Sequence, residues 1–232
     1  MKTTQHVIPQ IFAAVLLTVS FAVQAQTQPS PNALLEDIAD KMFDALNKDR
    51  KSIKADPAHT QKIVEDILIP NIDIITSSKW VLGKHWDDAT KDQKLRFIRE
   101  FRTMLLRFYS SALSEYLNSH DEKLEKSIMH FTPTNAGDQK EVIVRSEVTP
   151  KNSKPVPVLY HMHLTDKGWK VFDVSVEGVS VITTYKTSFA NDIQQSGIDG
   201  LIVSLVERNQ KLLASGTKAL SENQKPPAFN RK

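Results

Sequence analysis

The spacing of apolar residues changes twice along this chain, and those changes constrain the fold more than any single motif. In DDATKDQKLRFIREFRTMLLRFYSSALSEYL, Leu95, Ile98, Phe101, Leu105, Phe108, Ala112 and Tyr116 fall three and four apart, one stripe held for about seven helical turns. Phe97, Met104, Tyr109 and Leu113 widen that stripe beyond a simple core-facing seam. From about Lys126 the spacing drops to two, through KSIMHFTP, KEVIVRSEVTP, VPVLYHMHLTD and WKVFDVSVEG. Helical spacing returns after Gly178, with Ile182, Tyr185, Phe189 and Ile193 on one stripe until Gly197. Helices first, strands next and helices last predict an α+β domain.

Local signals set the boundaries. Ser30-Pro31 opens a helix that runs to about Lys48, and Asp56-Pro57 opens another that Pro70 stops. NIDIITSSKWVLG carries a short helix ended by Gly83. Thr90 and Gln93 form a capping box, so the long helix spans about 91–117. Between the four strands stand only NAGD, PKNSKP and DKG, too short for crossovers, which predicts an antiparallel four-stranded meander. Alternation places Val156, Val158, Tyr160, Met162 and Leu164 on one face of the third strand, and Phe172, Val174 and Val176 on the buried face of the fourth. A last helix occupies GIDGLIVSLVERNQKLLAS, with Asp199 as its cap.

The stretch DVSVEGVSVITTYKTSF breaks parity: Val174 and Val176 share one side, Val179 and Val181 the other. Its simplest reading is a strand-to-helix junction, or a bulge leading into one, hinged at Gly178.

At 232 residues, with 40% apolar and 25% charged, the chain is expected to hold a single domain over 26–220. The start, MKTTQHVIPQIFAAVLLTVSFAVQAQ, reads as a signal peptide, residues 1–25, cut after Ala25; its apolar run falls short of the about 20 residues that a membrane anchor needs. The end, SENQKPPAFNRK, is polar and proline-bearing, and 221–232 are expected to be disordered. Cysteine is absent, so an oxidising compartment finds no thiol to bridge. The net charge is +3, with basic residues scattered rather than clustered, which argues against a nucleic-acid partner. An exported, cysteine-free, nearly neutral chain fits the bacterial periplasm.

Chemistry-bearing motifs are missing. The sequence has no GxSxG, no GxxxxGK[ST], no GxGxxG and no HExxH, so no catalytic residue, cofactor or metal site is expected. His161 and His163 point to the same side of a strand and could share a metal, but no third ligand stands near, and a solvated strand face suits them better. Asp173 and Glu177 could act as an acid/base pair, or Glu177 could anchor the strand-to-helix junction. The long helix, the 179–195 helix and the sheet either close on a filled core or line a pocket, and periodicity leaves both open.

PNIDIITSSKWVLGKHWDDATKDQKLRFIREF resembles the MlaC family, the toluene-tolerance proteins, in its VLG, its aromatic pair and its AT-x-x-Q helix start. WKVFDVSVEGVSVITTYKTSF followed by GIDGLI is similar to the family's second signature. The likeness runs collinearly from about Leu34 to Leu213, and Trp80, His85 and Val176 are local departures. It implies a periplasmic phospholipid carrier, not an enzyme, that helps maintain outer-membrane lipid asymmetry. Implied partners are a phospholipid, an outer-membrane lipoprotein–porin complex and an inner-membrane ABC transporter with an MCE-domain subunit. The implied fold is a nuclear-transport-factor-2-like cone, a curved sheet wrapped by helices around a deep apolar cavity, and a shuttle of this kind is expected to be a monomer. On that reading Phe101, Leu105, Phe108, Tyr160, Phe172, Val174, Ile182, Tyr185 and Phe189 line the cavity, and Arg102, Arg107 or Lys84 meets the phosphate. Two competitors make different demands: a cone-fold isomerase or dehydratase needs a carboxylate in the pocket, and a protein-binding adaptor needs a filled core.

Overall fold

The computed structural model describes residues 28–149, 151 and 154–215; the expected signal peptide and C-terminal tail lie outside the described residues. Helices α1 (Pro31–Lys48), α2 (Arg50–Ala55), α3 (Pro57–Ile67), α4 (Ile74–Leu82), α5 (His85–Asp88) and α6 (Lys91–Ser119) precede strands β1 (Met129–Thr132), β2 (Glu141–Val148), β3 (Val156–Thr165), β4 (Gly168–Val176) and β5 (Val179–Ser180), and α7 (Val181–Ser215) follows. Side-chain caps set the helix starts. Ser30 accepts from the Ala33 amide, Asp56 from that of Ala58 and Asp73 from that of Thr76, while Thr90 and Gln93 complete the capping box. Gly83, at φ +54°, ends α4.

The sheet is antiparallel throughout, in the order β1-β2-β3-β4-β5, and has five strands rather than the expected four. The extra strand resolves the parity break. Val176 pairs with Val179, and the two residues between them, Glu177 (φ 51°) and Gly178 (φ 80°), both take positive φ, the pattern of a type I′ hairpin turn. The chain therefore doubles back before α7 begins, so a tight hairpin replaces the expected strand-to-helix hinge.

A second irregularity corrects the expected buried face of β4. His161 pairs with Asp173 but Met162 pairs with Val171, which leaves Phe172 as an extra residue in a β-bulge. Trp169 and Val171, before the bulge, thus share a face with Val174 and Val176 after it, alongside Met162 and Val144. Phe172 is turned instead toward His163 and His161, with ring centroids 5.3 and 6.1 Å away. Leu164, at the end of β3, is exposed rather than buried.

Gly197 (φ 70°) interrupts α7, and Arg208 reaches back to Asp192 at 2.7 Å. Sixteen residues of continuous helix would separate those positions by about 24 Å, so segments 181–196 and 198–215 fold back on each other. Asp199 does not cap the second segment: its carboxylate accepts from Gln93 at 2.9 Å and Arg96 at 2.6 Å, tying that segment to the start of α6.

Among the described residues, buried apolar side chains fall into four clusters. The largest joins α4, α6 and α7 through Phe97, Phe101, Tyr185 and Phe189. The second sets Leu35 and Ile38 of α1 against Val142, Met162, Trp169 and Val171. A third ties α1, α2, α3 and the end of α6 through Leu46, Ile53, Ile63 and Leu117, and a fourth is Val148, Val158 and Val176 in the sheet. Glutamate is a poor occupant of a positive-φ turn position, where Asn is favoured. Glu177→Asn is expected to stabilise the protein by about 0.5–1 kcal/mol, read as a higher urea midpoint at unchanged m-value; an unchanged or lower midpoint would contradict the turn assignment.

Candidate functional site

The carboxylate of Asp173 is fully committed to joining sheet and helix. One oxygen accepts from the Val174 amide at 2.8 Å and the Ile182 amide at 3.1 Å, the other from the Ser180 hydroxyl at 2.6 Å. Ser180 in turn accepts from the Thr183 amide, capping α7. Glu177, exposed at the tip of the hairpin, makes none of these contacts, so the anchoring role expected of Glu177 belongs to Asp173. The two carboxylates do not converge on a common point as an acid/base pair would require.

His161 and His163 do not occupy a solvated face. Both are half-buried, and His163 Nε2 lies 2.9 Å from the Asp73 carboxylate. Asp73 also accepts from the Thr76 amide and hydroxyl, and its own amide donates to the Val171 carbonyl. Ser77 completes the clasp by donating to the Phe172 carbonyl at 2.6 Å. Burial pushes the Asp73 carboxyl up, but the bonds from Thr76, then the charge and bond of His163, outweigh it and hold it below its usual value. Among the described residues no three metal-binding side chains come together.

The nine expected lining residues divide. Phe101, Leu105, Phe108, Ile182, Tyr185 and Phe189 are buried together in the largest cluster, in ring contacts such as Tyr185 on Phe189 at 5.3 Å, and Phe172 packs against it from the sheet. Tyr160 and Val174 lie on the other face of the bulge, half-buried, where the second and fourth clusters meet. The three expected phosphate partners are also apart: Arg102 pairs with Glu65 of α3 at 2.8 Å, Arg107 donates to the Asn209 carbonyl, and Lys84 is exposed ahead of α5.

Residues absent from the expected lining stand at the margins between clusters. Tyr109 and Ala112 border the first, Leu113 the third, and Met42 is shared by the second and third. The extra width of the α6 stripe was the sequence signal for Tyr109 and Leu113. Helix α6 enters the first cluster through Phe101 and Phe108 and the third through Leu117, while half-buried Met42, Tyr160 and Val174 stand at the borders of the second with the third and fourth. Burial raises the Tyr109 hydroxyl far above the usual phenol range, with Asp173 adding to it, yet the residue keeps open surface. Tyr160 is likewise raised by burial, partly offset by Ser146, and also keeps open surface. Two outer grooves are small and edged with charge: about 80 Å³ beside Glu36, Asp40 and Lys126, and about 290 Å³ beside Asp44, Lys123 and Glu125.

The MlaC protein family model matches residues 36–207, from α1 through the bulge, the hairpin and most of α7. The chain belongs to the MlaC family. This MlaC-family chain is 25% identical over 184 residues to the intermembrane phospholipid transport system binding protein MlaC of Haemophilus influenzae, covering 78% of the chain and 83% of that protein. It is 26% identical over 185 residues to the toluene tolerance protein ttg2D of Pseudomonas putida, covering 79% and 82%. Its fold is similar to the solved phospholipid-binding protein from Ralstonia solanacearum in complex with a phospholipid, at TM-score 0.67 and 27% identity over 78% of this chain and 97% of that one.

Asp73→Ala is expected to cost this MlaC-family protein about 1 kcal/mol at pH 7, the usual loss for an N-cap. Because folding depresses the Asp73 pKa, its contribution is present above 3.8 and lost as pH falls through the folded value. Urea unfolding of both proteins across that range should show the gap closing below pH 3.8; a gap that persists undiminished in stronger acid would contradict this role.

Proposed function

We propose that this MlaC-family protein is a periplasmic phospholipid carrier that holds acyl chains where its four apolar clusters meet. The half-buried apolar side chains at the borders of those clusters are the observation that carries this reading, because they are apolar surface that acyl chains can cover. Tyr109, Ala112, Leu113, Met42, Tyr160 and Val174 are the proposed walls, and the packed aromatic cluster of α6 and α7 is the rigid body behind them. The curved sheet with its covering helices acts as a nuclear-transport-factor-2-like cone whose interior widens to admit the ligand. The relatives named for phospholipid transport and the neighbour solved with a phospholipid support the choice of ligand.

A diacyl phospholipid exposes roughly thirty methylenes, each costing about 0.8 kcal/mol in water, so unaided passage between membranes is negligible. An apolar interior makes the transfer close to isoenergetic and reversible. No bond is made or broken, and an enzyme on the same fold would need a carboxylate free for chemistry, whereas Asp173 is held by three donors. The proposed route runs, for a monomeric carrier exported by its signal peptide, between an outer-membrane lipoprotein–porin complex and an inner-membrane ABC transporter with an MCE-domain subunit. Direction comes from those partners through unequal affinity for loaded and empty forms. Such traffic maintains outer-membrane lipid asymmetry.

Organic extraction of the purified protein followed by mass spectrometry is expected to recover phospholipid, and the stripped, folded protein to reacquire it from vesicles. Failure of both would overturn the proposal. Val174→Asp should lower lipid occupancy while leaving the fold intact, since an unpaired charge at a half-open wall repels acyl chains. Phe189→Asp, at a fully buried position, should instead cost at least about 3 kcal/mol of stability. Unchanged occupancy in a folded Val174→Asp protein would place that residue outside the cavity.

A further inference from the structure

Helix α4 has two unlike faces. Its inner face is firmly seated: Ile74, Val81 and Leu82 are buried in the cluster of α6 and α7, and Ser77 donates to the Phe172 carbonyl of the sheet. Its outer face carries Ile75 and Trp80, exposed at 61% and 55%, with Lys79 four residues after Ile75 on the same side. Single exposed apolar side chains are ordinary, but here two large ones share a helix of nine residues whose inner face fixes their direction.

The charges on this surface have one sign. From Ile74 to Trp86 they are Lys79 and Lys84, and from Val181 to Asn191, on the part of α7 that begins beside α4, Lys186 alone. Lys186 lies across the end of α4, since a Cβ at Gly83 would stand 2.8 Å from its Cε. All three lysines are exposed, and among the described residues none is in an ion pair. The bordering carboxylates lie outside the surface: Asp73 is held by Thr76 and His163, Asp87 and Asp88 follow on α5, and Glu177 sits at the hairpin tip. On α5, Lys94 stands over the Trp86 ring at 5.4 Å, adding positive charge beside that pair.

Two kinds of occupant could cover such a face, and its composition separates them. Protein interfaces are depleted in lysine, and they read fixed hydrogen-bonding groups, whereas the Thr76 hydroxyl beside Trp80 is already given to Asp73. A fluid anionic lipid surface suits it better. An indole rests at headgroup level, an aliphatic side chain enters beside it, and ammonium groups on flexible stems reach phosphates without a set geometry.

We propose that the outer face of α4, together with Lys84 and Lys186, docks the protein on an anionic phospholipid membrane. Ile75 and Trp80 enter among the headgroups while the three lysines meet the phosphates. This goes beyond the carrier reading and does not depend on it, because the surface lies outside the interior.

The full-length protein is spun with sucrose-loaded vesicles of phosphatidylethanolamine and phosphatidylglycerol, or of phosphatidylcholine alone, and the pelleted fraction gives the affinity. Lipid taken into the interior leaves with the supernatant protein, so pelleting reads docking and not carriage. Wild type should bind the phosphatidylglycerol vesicles about tenfold or more tightly than the neutral ones, and raising salt from about 0.1 M to about 1 M should abolish that difference. Ile75→Ser combined with Trp80→Ser, and Lys79→Glu combined with Lys84→Glu, should each weaken binding about tenfold or more at an unchanged melting temperature. Val174→Asp, expected to lose lipid occupancy, should pellet like wild type. Wild-type affinity in either double variant overturns the proposal, as does equal binding to both vesicles. Loss of pelleting in a folded Val174→Asp protein ties attachment to the interior and also overturns it. Wild type that pellets with neither vesicle leaves the face to a protein partner and overturns the membrane assignment, whatever lipid the interior carries.

Discussion

Asp173 is the constraint on which the architecture turns. Its carboxylate accepts from the backbone of its own strand, from the hydroxyl that caps α7 and from the first turn of that helix. Three polar groups in a half-buried corner are satisfied by one side chain, and removing it would leave all three without an acceptor at about 1–3 kcal/mol each. The bulge at Phe172 aims Asp173 at that corner, and the Glu177–Gly178 hairpin brings Ser180 within reach of it. Bulge, hairpin and helix start are therefore one device, setting the direction in which α7 leaves the sheet.

That direction determines what the interior becomes. Helix α7 runs out, breaks at Gly197 and returns, with the Arg208–Asp192 pair holding the two segments together and Asp199 binding the return to α6. The aromatic rings of α6 and α7 close on each other at centroid distances of 5.3 to 6.0 Å and need nothing from the sheet to be filled. Helix α1 packs on the face carrying Met162 and Val171, and α2 and α3 join it to the end of α6 through Ile53, Ile63 and Leu117 and through the buried Ser114–Thr60 hydrogen bond. Half-buried apolar side chains such as Met42, Tyr160 and Val174 border these packed groups.

The parts legible in the sequence were those decided locally. Ser30, Asp56 and Thr90 cap helices through amides two or three residues away, so their roles can be read from neighbours alone. Asp199 stands where a cap should, yet partners 103 and 106 residues away in sequence claim it, and no local pattern could reveal that. One inserted residue at Phe172 takes it off the face of Val174 and Val176 and brings Trp169 and Val171 onto that face, because side chains alternate with a period of two. Gly178 announced a turn, but Glu177 concealed its type, since glutamate rarely takes positive φ. Helical spacing identified the apolar stripe of α6 without separating fully buried members, such as Phe101, from half-buried ones, such as Tyr109. The family signatures supplied the function because a cavity is made of absent contacts, which periodicity does not record.

A carrier is defined by where it holds its ligand's apolar part. A phospholipid bearing a diazirine midway along one acyl chain, bound to the protein, irradiated and mapped by peptide mass spectrometry, reads that location directly. Adducts on Tyr109, Leu113, Tyr160 and Val174, the half-buried side chains at the cluster borders, are predicted. Adducts confined to exposed residues such as Ile75 and Trp80, or to the outer grooves beside α1, would contradict an internal acyl site.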